Sequence, residues 1–214
     1  KNFFQAATEG NGSRLEALLN EPIDPDLVNL CGFTGLHLAA AASHVEIVRL
    51  LLEAGADKEK VATDGRGWVP LNFAAGDPDV LRLLLDAAAN PNGGTVPPLQ
   101  QAMKLGHVEA VELLLNAGTD VEAPNASEPP LLGAAKRGLT DVVRLLLQAR
   151  AQPDRITGGE SPMLSAAHGG NAAVVRLLLD SGADKDQMAT VASSRPRTAL
   201  SAACEAGRQE VVRS

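Results

Sequence analysis

The amino-acid sequence predicts an all-α fold of stacked helix-turn-helix units with protruding loops, and three observations lead to this prediction. Apolar residues make up 45% of the 214 residues, whereas aromatic residues make up 2% and tyrosine is absent. A core without large rings has to be built from Leu, Val and Ala, which favours closely packed helices over a β-sandwich. The other two observations are sequence landmarks that recur along the chain in one phase.

The first landmark is an apolar anchor in six short segments such as TGLH and SPML. The anchors are Leu36, Leu71, Leu99, Leu131, Met163 and Leu200, which are 35, 28, 32, 32 and 37 residues apart. The second landmark is a Leu triplet, which begins at Leu50, Leu83, Leu113, Leu145 and Leu177. The triplet begins 14 residues after the anchor in four units and 12 residues after it in the unit that contains Trp68. Because both landmarks keep one phase, the chain is predicted to be a tandem repeat.

Each unit is predicted to form two helices. Small or slender residues three and four positions after the anchor, such as Ala39 and Ala40, allow a neighbouring helix to approach the first helix closely. The Leu triplet supplies the apolar face of the second helix. Ser161 followed by Pro162 marks a helix start. Glycine turns are expected to end the first helix at Gly76, Gly106, Gly138, Gly170 and Gly207, and to close the second at Gly55, Gly118 and Gly182.

The segment GFTGLHLAAAASHVEIVRLLLEAGAD, residues 32–57, resembles an ankyrin repeat in its Gly, Thr-x-Leu-His, Ala pair, triple Leu and Gly-Ala-Asp. The resemblance implies an ankyrin-repeat solenoid. A degenerate N-terminal repeat or cap is expected at residues 1–29, where Ser13 and Glu16 have capping-box spacing. An array of about six units is expected at residues 30–214, with the last unit truncated. Since the chain begins at Lys1 and not at Met, we expect a piece of a longer protein. Because the last unit stops at Ser214 and its second helix is cut, an uncovered apolar edge predicts more repeats, a cap or a partner beyond it.

Two departures from the family pattern affect the loops. The His of the Thr-Pro-Leu-His motif survives at His37 and is replaced by Asn72 and other residues elsewhere. The hydrogen bonds that usually tie neighbouring loops are therefore expected to be absent or rebuilt. The loop between Asp186 and Thr198 is the largest insertion. The acidic loop tips are expected mainly to favour solubility; they carry Asp57, Glu59, Asp120, Glu122, Asp154, Asp184 and Asp186.

Several functional classes are disfavoured by composition. The net charge of −7 argues against binding to nucleic acid, because such binding depends on dense Lys and Arg. No uncharged stretch suits membrane insertion. We find no catalytic constellation, no metal-ligand spacing and no phosphate loop, and predict neither enzyme activity nor a cofactor or metal. The sparse cysteines, Cys31 and Cys204, fit an intracellular, cytoplasmic compartment.

The resemblance implies that a partner protein binds the concave face formed by loops and inner helices. The candidate partner-binding residues at those positions are Leu30, Phe33, Arg66, Trp68, Lys104, Leu105, Lys136, Arg137 and His168. Phe33 and Trp68 occupy equivalent positions in adjacent units, so their rings are expected to lie side by side, exposed to a partner. Alternatively, one or both rings fold inward to cover the loops.

The unit with the 12-residue spacing lacks two groove-facing residues before Gly76, so a shortened inner helix and a recess beside Trp68 are predicted. Asp77 and Pro78 are expected to cap its second helix. Lys104, Lys136 and Arg137 make the middle of the face basic, which suits either an acidic partner segment or plain solvation.

Two functions remain open. The first is a protein–protein interaction module that binds a peptide segment or domain surface. The second is a structural scaffold subunit of a large multiprotein complex, with a regulatory ankyrin segment of a longer multidomain protein as a further alternative.

Overall fold

The computed structural model describes residues 2–122, 128–189 and 196–213. This part of the chain is helical, and its extended pairs are isolated bridges such as that between Val28 and Thr34. The all-α prediction is therefore confirmed. The helices fall into two compact units, Lys1–Thr119 and Asp120–Ser214. No helix within the described ranges has the length and apolar character needed to cross a bilayer.

The first unit contains four helix pairs, each an inner helix followed by an outer helix. They are α1 (Asn2–Glu9) with α2 (Gly12–Leu19), α3 (Gly35–Ala41) with α4 (Val45–Glu53), α5 (Pro70–Phe73) with α6 (Pro78–Asp86), and α7 (Pro98–Leu105) with α8 (Val108–Asn116). The second unit contains three such pairs in its described residues. They are α9 (Pro130–Arg137) with α10 (Thr140–Gln148), α11 (Pro162–Gly169) with α12 (Ala172–Asp180), and α13 (Ala199–Glu205) with α14 (Gln209–Arg213).

The two sequence landmarks form the core of both units. The anchors of α3, α5, α7, α9 and α11 are buried, and so is the central Leu of every triplet. The small residues three and four positions after the anchors of α3, α5, α9 and α11, such as Ala134 with Ala135, are buried, which lets neighbouring inner helices pack closely. In the last pair Ala203 is buried but Cys204 is exposed. The last anchor differs, because Leu200 on α13 is 56% exposed.

Most predicted helix ends are confirmed. Gly106, Gly138 and Gly170 adopt the left-handed conformation directly after α7, α9 and α11, and Gly207 does so two residues after α13. The prediction for Gly76 is wrong, because that residue ends a 3-10 turn, Ala74–Gly76, and its φ is not positive.

Side-chain caps start several helices, among them α2, α3, α6, α11 and α13, and one predicted cap needs correction. Ser161 caps α11 by accepting a hydrogen bond from the backbone N–H of Leu164. The capping box predicted at Ser13 and Glu16 is wrong. Asn11 caps α2 by accepting from the backbone N–H of Arg14, so Ser13 lies inside the helix.

Carboxylates tie consecutive loops together in the first unit. Asp26 Oδ1 accepts from the backbone N–H of Asp57 at 2.8 Å, and Glu59 Oε1 accepts from that of Asn90 at 2.7 Å. Hydrogen bonds to ionised acceptors are stronger than neutral ones. The acidic tips therefore do more than favour solubility, because some of them join one repeat to the next.

Carboxylates join consecutive loops in the second unit in the same way. Glu122 Oε1 accepts from the backbone N–H of Gln152, and Asp154 Oδ1 accepts from that of Asp184, both at 2.9 Å. Glu122 also forms an ion pair with Arg155. The central residues of the long insertion, 190–195, lie outside the described residues, as does Ser214.

Candidate protein-binding surface

Three aromatic rings from two adjacent repeats form a cluster on the loop side of the first unit, and Phe73 is its centre. The Phe73 ring lies edge-on to Phe33, with centroids 5.6 Å apart, and to Trp68, with centroids 5.2 Å apart. Phe33, Trp68 and Phe73 are all half-buried. We call these three residues the aromatic cluster.

The guanidinium of Arg66 covers the aromatic cluster. Its central carbon lies 4.4 Å from the Trp68 ring centroid and 5.7 Å from those of Phe33 and Phe73. These distances are in the range of cation–π attraction. Arg66 Nε also donates to the carboxylate of Asp64, so the side chain is fixed on two sides.

The loop around Arg66 has its shape because of two glycines. Gly65 and Gly67 have φ values of +85° and +68°, which favour glycine over other residues. The backbone N–H of Arg66 donates to Asp64 Oδ1, and this bond, followed by those of the guanidinium, lowers the pKa of Asp64 against the opposing effect of burial. The next loop holds the Arg66 carbonyl through the hydroxyl of Thr95, 3.0 Å away.

His37 lies beneath the cluster, with its ring centroid 5.4 Å from that of Phe73. Its Nδ1 accepts from the backbone N–H of Thr34, so Thr34 and His37 cap α3 reciprocally. Burial lowers the pKa of His37, against the opposing effects of the Trp68 and Lys60 backbone and of nearby carboxylates. His37 Nε2 forms no hydrogen bond of normal geometry within the described residues.

Asn72 takes the place of His37 in the next repeat and rebuilds the connection between loops. Its Oδ1 accepts from the backbone N–H of Val69, and its Nδ2 donates to the carbonyl of Val96, each at 2.9 Å. The side chain therefore starts α5 and holds the following loop. The hydrogen bonds between neighbouring loops were expected to be absent or rebuilt, and at this position they are rebuilt with asparagine in place of histidine.

The predicted shortening of the third inner helix is observed, and the ring of Phe73 lies beside Trp68 where a recess was predicted. α5 ends at Phe73 and continues as the 3-10 turn, and Asp77 caps α6 as expected. Phe73 contacts both Phe33 and Trp68 edge-on, so it lies between the two rings that were expected to lie side by side. Sequence reasoning missed Phe73, although it stands only five residues after Trp68 in a chain with few rings.

The remaining candidates of the first unit lie in the loop before α3 and at the end of α7. Leu30 is fully exposed at the tip of the preceding loop. It lines a cavity of about 380 Å³ together with Phe4, Val28, Asn29 and Cys31. Lys104 and Leu105 are exposed in the last turn of α7. These side chains are free of the repeat core and accessible to a partner.

The basic candidates of the second unit are mostly engaged already. Lys136 forms ion pairs with Glu160 at 3.2 Å and Glu128 at 3.5 Å, and the hydrogen bond to Glu160 raises its pKa. Arg137 Nε donates to the carbonyl of Gly133. His168 is exposed on α11. Because carboxylates already surround Lys136, this placement argues against an acidic partner segment at that residue. Among the described residues, no group of three His, Cys, Asp or Glu side chains could hold a metal ion.

Comparison with protein-family models decides the family. The model for three-copy ankyrin repeats matches residues 3–95 and 131–214, and that for the single ankyrin repeat matches residues 97–126. The chain belongs to the ankyrin-repeat family. This result confirms the resemblance found in the sequence. Ankyrin-repeat domains are protein-interaction modules and are typically non-enzymatic.

Two solved ankyrin-repeat domains are similar to this one over nearly its whole length. The human ASB11 domain is 26% identical, with a TM-score of 0.83, and the match covers 99% of this chain and 96% of that one. The domain of Bcl-3, described as a unique member of the IkappaB protein family, is 29% identical with a TM-score of 0.83, covering 100% and 98%. The predicted ankyrin fold class is confirmed.

Curated ankyrin-repeat relatives match a short segment. A protein described as ankyrin repeat, SAM and basic leucine zipper domain-containing protein 1 is 44% identical over 64 residues in both Ovis aries and Bos taurus. The match spans 28% of this chain and 14% of each relative.

Proposed function

We propose that this ankyrin-repeat chain is an interaction module and that a segment of a partner protein binds across the aromatic cluster and Arg66 of the first unit. One observation carries the proposal. The Arg66 guanidinium covers rings from two repeats on the accessible side of the loops. Aromatic and arginine side chains dominate the energetics of protein interfaces.

The cluster is organised before a partner arrives, which favours binding. Packing against Phe73 restricts the rotamers of Phe33 and Trp68, and Asp64 fixes Arg66. Side chains that are already ordered lose less conformational entropy when a partner binds. Exposed Leu30 and Leu105 would extend the apolar contact on the same unit. In the second unit, Lys136, Arg137 and His168 remain candidates for a separate contact.

A double substitution tests this proposal in extracts of the cells that express the chain. Phe33→Ala with Trp68→Ala should reduce recovery of a bound partner at least tenfold. A matched control is Leu52→Ala with Leu83→Ala, which removes half-buried apolar side chains from the outer helices α4 and α6. Both pairs should lower the melting temperature, so binding is compared well below each midpoint. Equal loss of the partner with both pairs would contradict the proposed surface.

One observation favours the alternative function of a structural subunit. Leu200 and Val212 are exposed on the last helix pair, and Cys204 lines a cavity of about 370 Å³ beside Val212. Burial of this apolar face by another subunit would stabilise an assembly. Size-exclusion chromatography of native material separates the two functions. A fixed stoichiometry that survives Phe33→Ala with Trp68→Ala would support the subunit, whereas a substoichiometric partner lost with that pair would support the module.

A further inference from the structure

Arg66 keeps two hydrogen-bonding groups unused. Its Nε donates to Asp64, while Nη1 and Nη2 have no partner among the residues that the structure describes. The side chain is 48% exposed. The two Nη groups form one edge of the guanidinium, and their parallel N–H bonds match the two oxygens of a carboxylate.

The position of this edge is fixed by the protein. The central carbon of the guanidinium lies over the Trp68 ring, Asp64 holds the Nε edge, and Thr95 holds the backbone carbonyl of Arg66. A donor pair that is already oriented gains more from binding than a freely rotating one. The surrounding rings of Phe33 and Trp68 are only half-buried, so apolar side chains can pack beside it.

We propose that the Nη edge of Arg66 binds an Asp or Glu side chain of the partner, and that apolar residues beside that acid pack on Phe33 and Trp68. This inference rests on the proposed function and names the chemistry of the partner segment. It predicts a short motif in which one acidic residue has apolar neighbours.

The charges at the site favour an acid over a base. Arg66 already covers the ring faces, so a second cation would meet a like charge at the positions where cation–π attraction is strongest. Asp64 sits on the Nε edge and leaves the Nη edge open. Rings from two repeats surround Arg66. A partner segment that continues on both sides of its acidic residue therefore covers more ring surface than a segment that ends at that residue. This favours an acidic side chain over a C-terminal carboxylate.

Selection from peptide libraries tests the inference with a defined probe. Random 12-residue peptides are displayed on phage in two formats, one with the C-terminus joined to the coat protein and one with a free C-terminus. Both libraries are selected on the full chain, and peptides that no longer bind Trp68→Ala are synthesised. Each is compared with its Asp→Asn or Glu→Gln version on the wild-type chain, on Arg66→Gln and on Arg66→Lys. Arg82→Gln is the matched control, since Arg82 is also exposed and pairs with Glu109 on the outer helices.

The expected result is enrichment of an internal acid in the joined format. Neutralising that acid should weaken binding to the wild-type chain and to Arg82→Gln about tenfold or more, and less than twofold to Arg66→Gln. With Arg66→Lys, neutralising the acid should weaken binding by less than it does with the wild-type chain but by more than it does with Arg66→Gln, because an ammonium keeps the charge and lacks the paired donors. Trp68-dependent peptides that tolerate neutralisation, or that come only from the free C-terminal format, would overturn the inference and leave the proposed function standing. Absence of any Trp68-dependent peptide would overturn both.

Discussion

The side-chain amide of Asn72 donates to the backbone carbonyl of Val96, 24 residues further along the chain, at 2.9 Å. The same side chain accepts from the backbone N–H of Val69 and is 1% exposed. One buried amide thus starts an inner helix and fixes the loop of the next repeat. The family pattern has histidine here, and asparagine performs both tasks because it carries an acceptor and a donor.

Asn72→Ala should lower the free energy of unfolding by about 2 to 3 kcal/mol, because it removes the partners of the buried Val69 N–H and of the partly buried Val96 carbonyl. Urea unfolding followed by circular dichroism measures this change. Asn116→Ala is the matched control, since Asn116 is exposed at the end of α8. A loss below about 0.5 kcal/mol for Asn72→Ala would show that the amide is not essential to the loop.

His37→Asn should make stability less sensitive to mild acid. Burial lowers the pKa of His37, so the unfolded chain binds a proton at a higher pH than the folded chain does. The free energy of unfolding should then be at its full value above the unfolded pKa of about 6.5 and fall as the pH drops below it towards the folded pKa. Asparagine can replace the Nδ1 acceptor, as Asn72 does one repeat later.

Urea unfolding at pH 7.5 and pH 5 gives the comparison for His37→Asn. The difference between the two pH values should be smaller in this variant than in the wild-type chain. His168→Asn is the control, because that ring is exposed on α11. If the two variants respond to acid alike, the burial of His37 does not account for the acid sensitivity.

Gly67→Ala should be more harmful than Gly65→Ala, although both residues have positive φ. A Cβ on Gly65 meets nothing within 4 Å, so that substitution carries only the backbone strain of about 1 kcal/mol. A Cβ on Gly67 would collide with the Thr95 side chain and should raise the total to about 2 kcal/mol or more. Because Trp68 is the only tryptophan, its fluorescence reports directly on this loop during unfolding. Equal effects of the two substitutions would contradict the observed approach of Thr95.

Leu114→Ala or Leu146→Ala should each lower the free energy of unfolding by about 2 to 5 kcal/mol, because both side chains are fully buried in the triplets. Leu105→Ala removes the same atoms from an exposed position and should change stability by less than about 0.5 kcal/mol. Thermal and chemical denaturation both measure these effects. A small change at Leu114 would place it outside the repeat core.

The repeat could be predicted from the sequence because its signal is periodic. Leu71 and Leu99 are buried anchors at one phase, and Leu84 and Leu114 are buried triplet centres at another. Hydrophobic burial depends on which side of a helix a residue occupies, and that side follows from spacing alone. The fold class could therefore be predicted, because the spacing of Leu residues determines which side chains are buried.

The candidate surface was harder to predict, because side-chain directions in loops do not follow a period. Phe33 and Trp68 could be assigned to equivalent positions, but only the packing shows that Phe73 contacts both rings and lies between them. The acceptors of the inter-loop bonds did carry a periodic signal. Asp26 and Glu59 are 33 residues apart, and Glu122 and Asp154 are 32 apart.

The inter-loop bonds set different constraints on the two residues that they join. Asp154 supplies its side-chain carboxylate to the bond between the loops, whereas Asp184 supplies its backbone N–H and uses its own carboxylate to accept from the backbone N–H of Asp186. The acceptor position should therefore tolerate few substitutions, while the donor position has to avoid proline, which lacks the N–H, and favours Asp or Asn, whose side chains accept within the turn. The remaining positions of the loop tips can then diversify in sequence, and with it in the partners that they touch, without loosening the connection between neighbouring repeats.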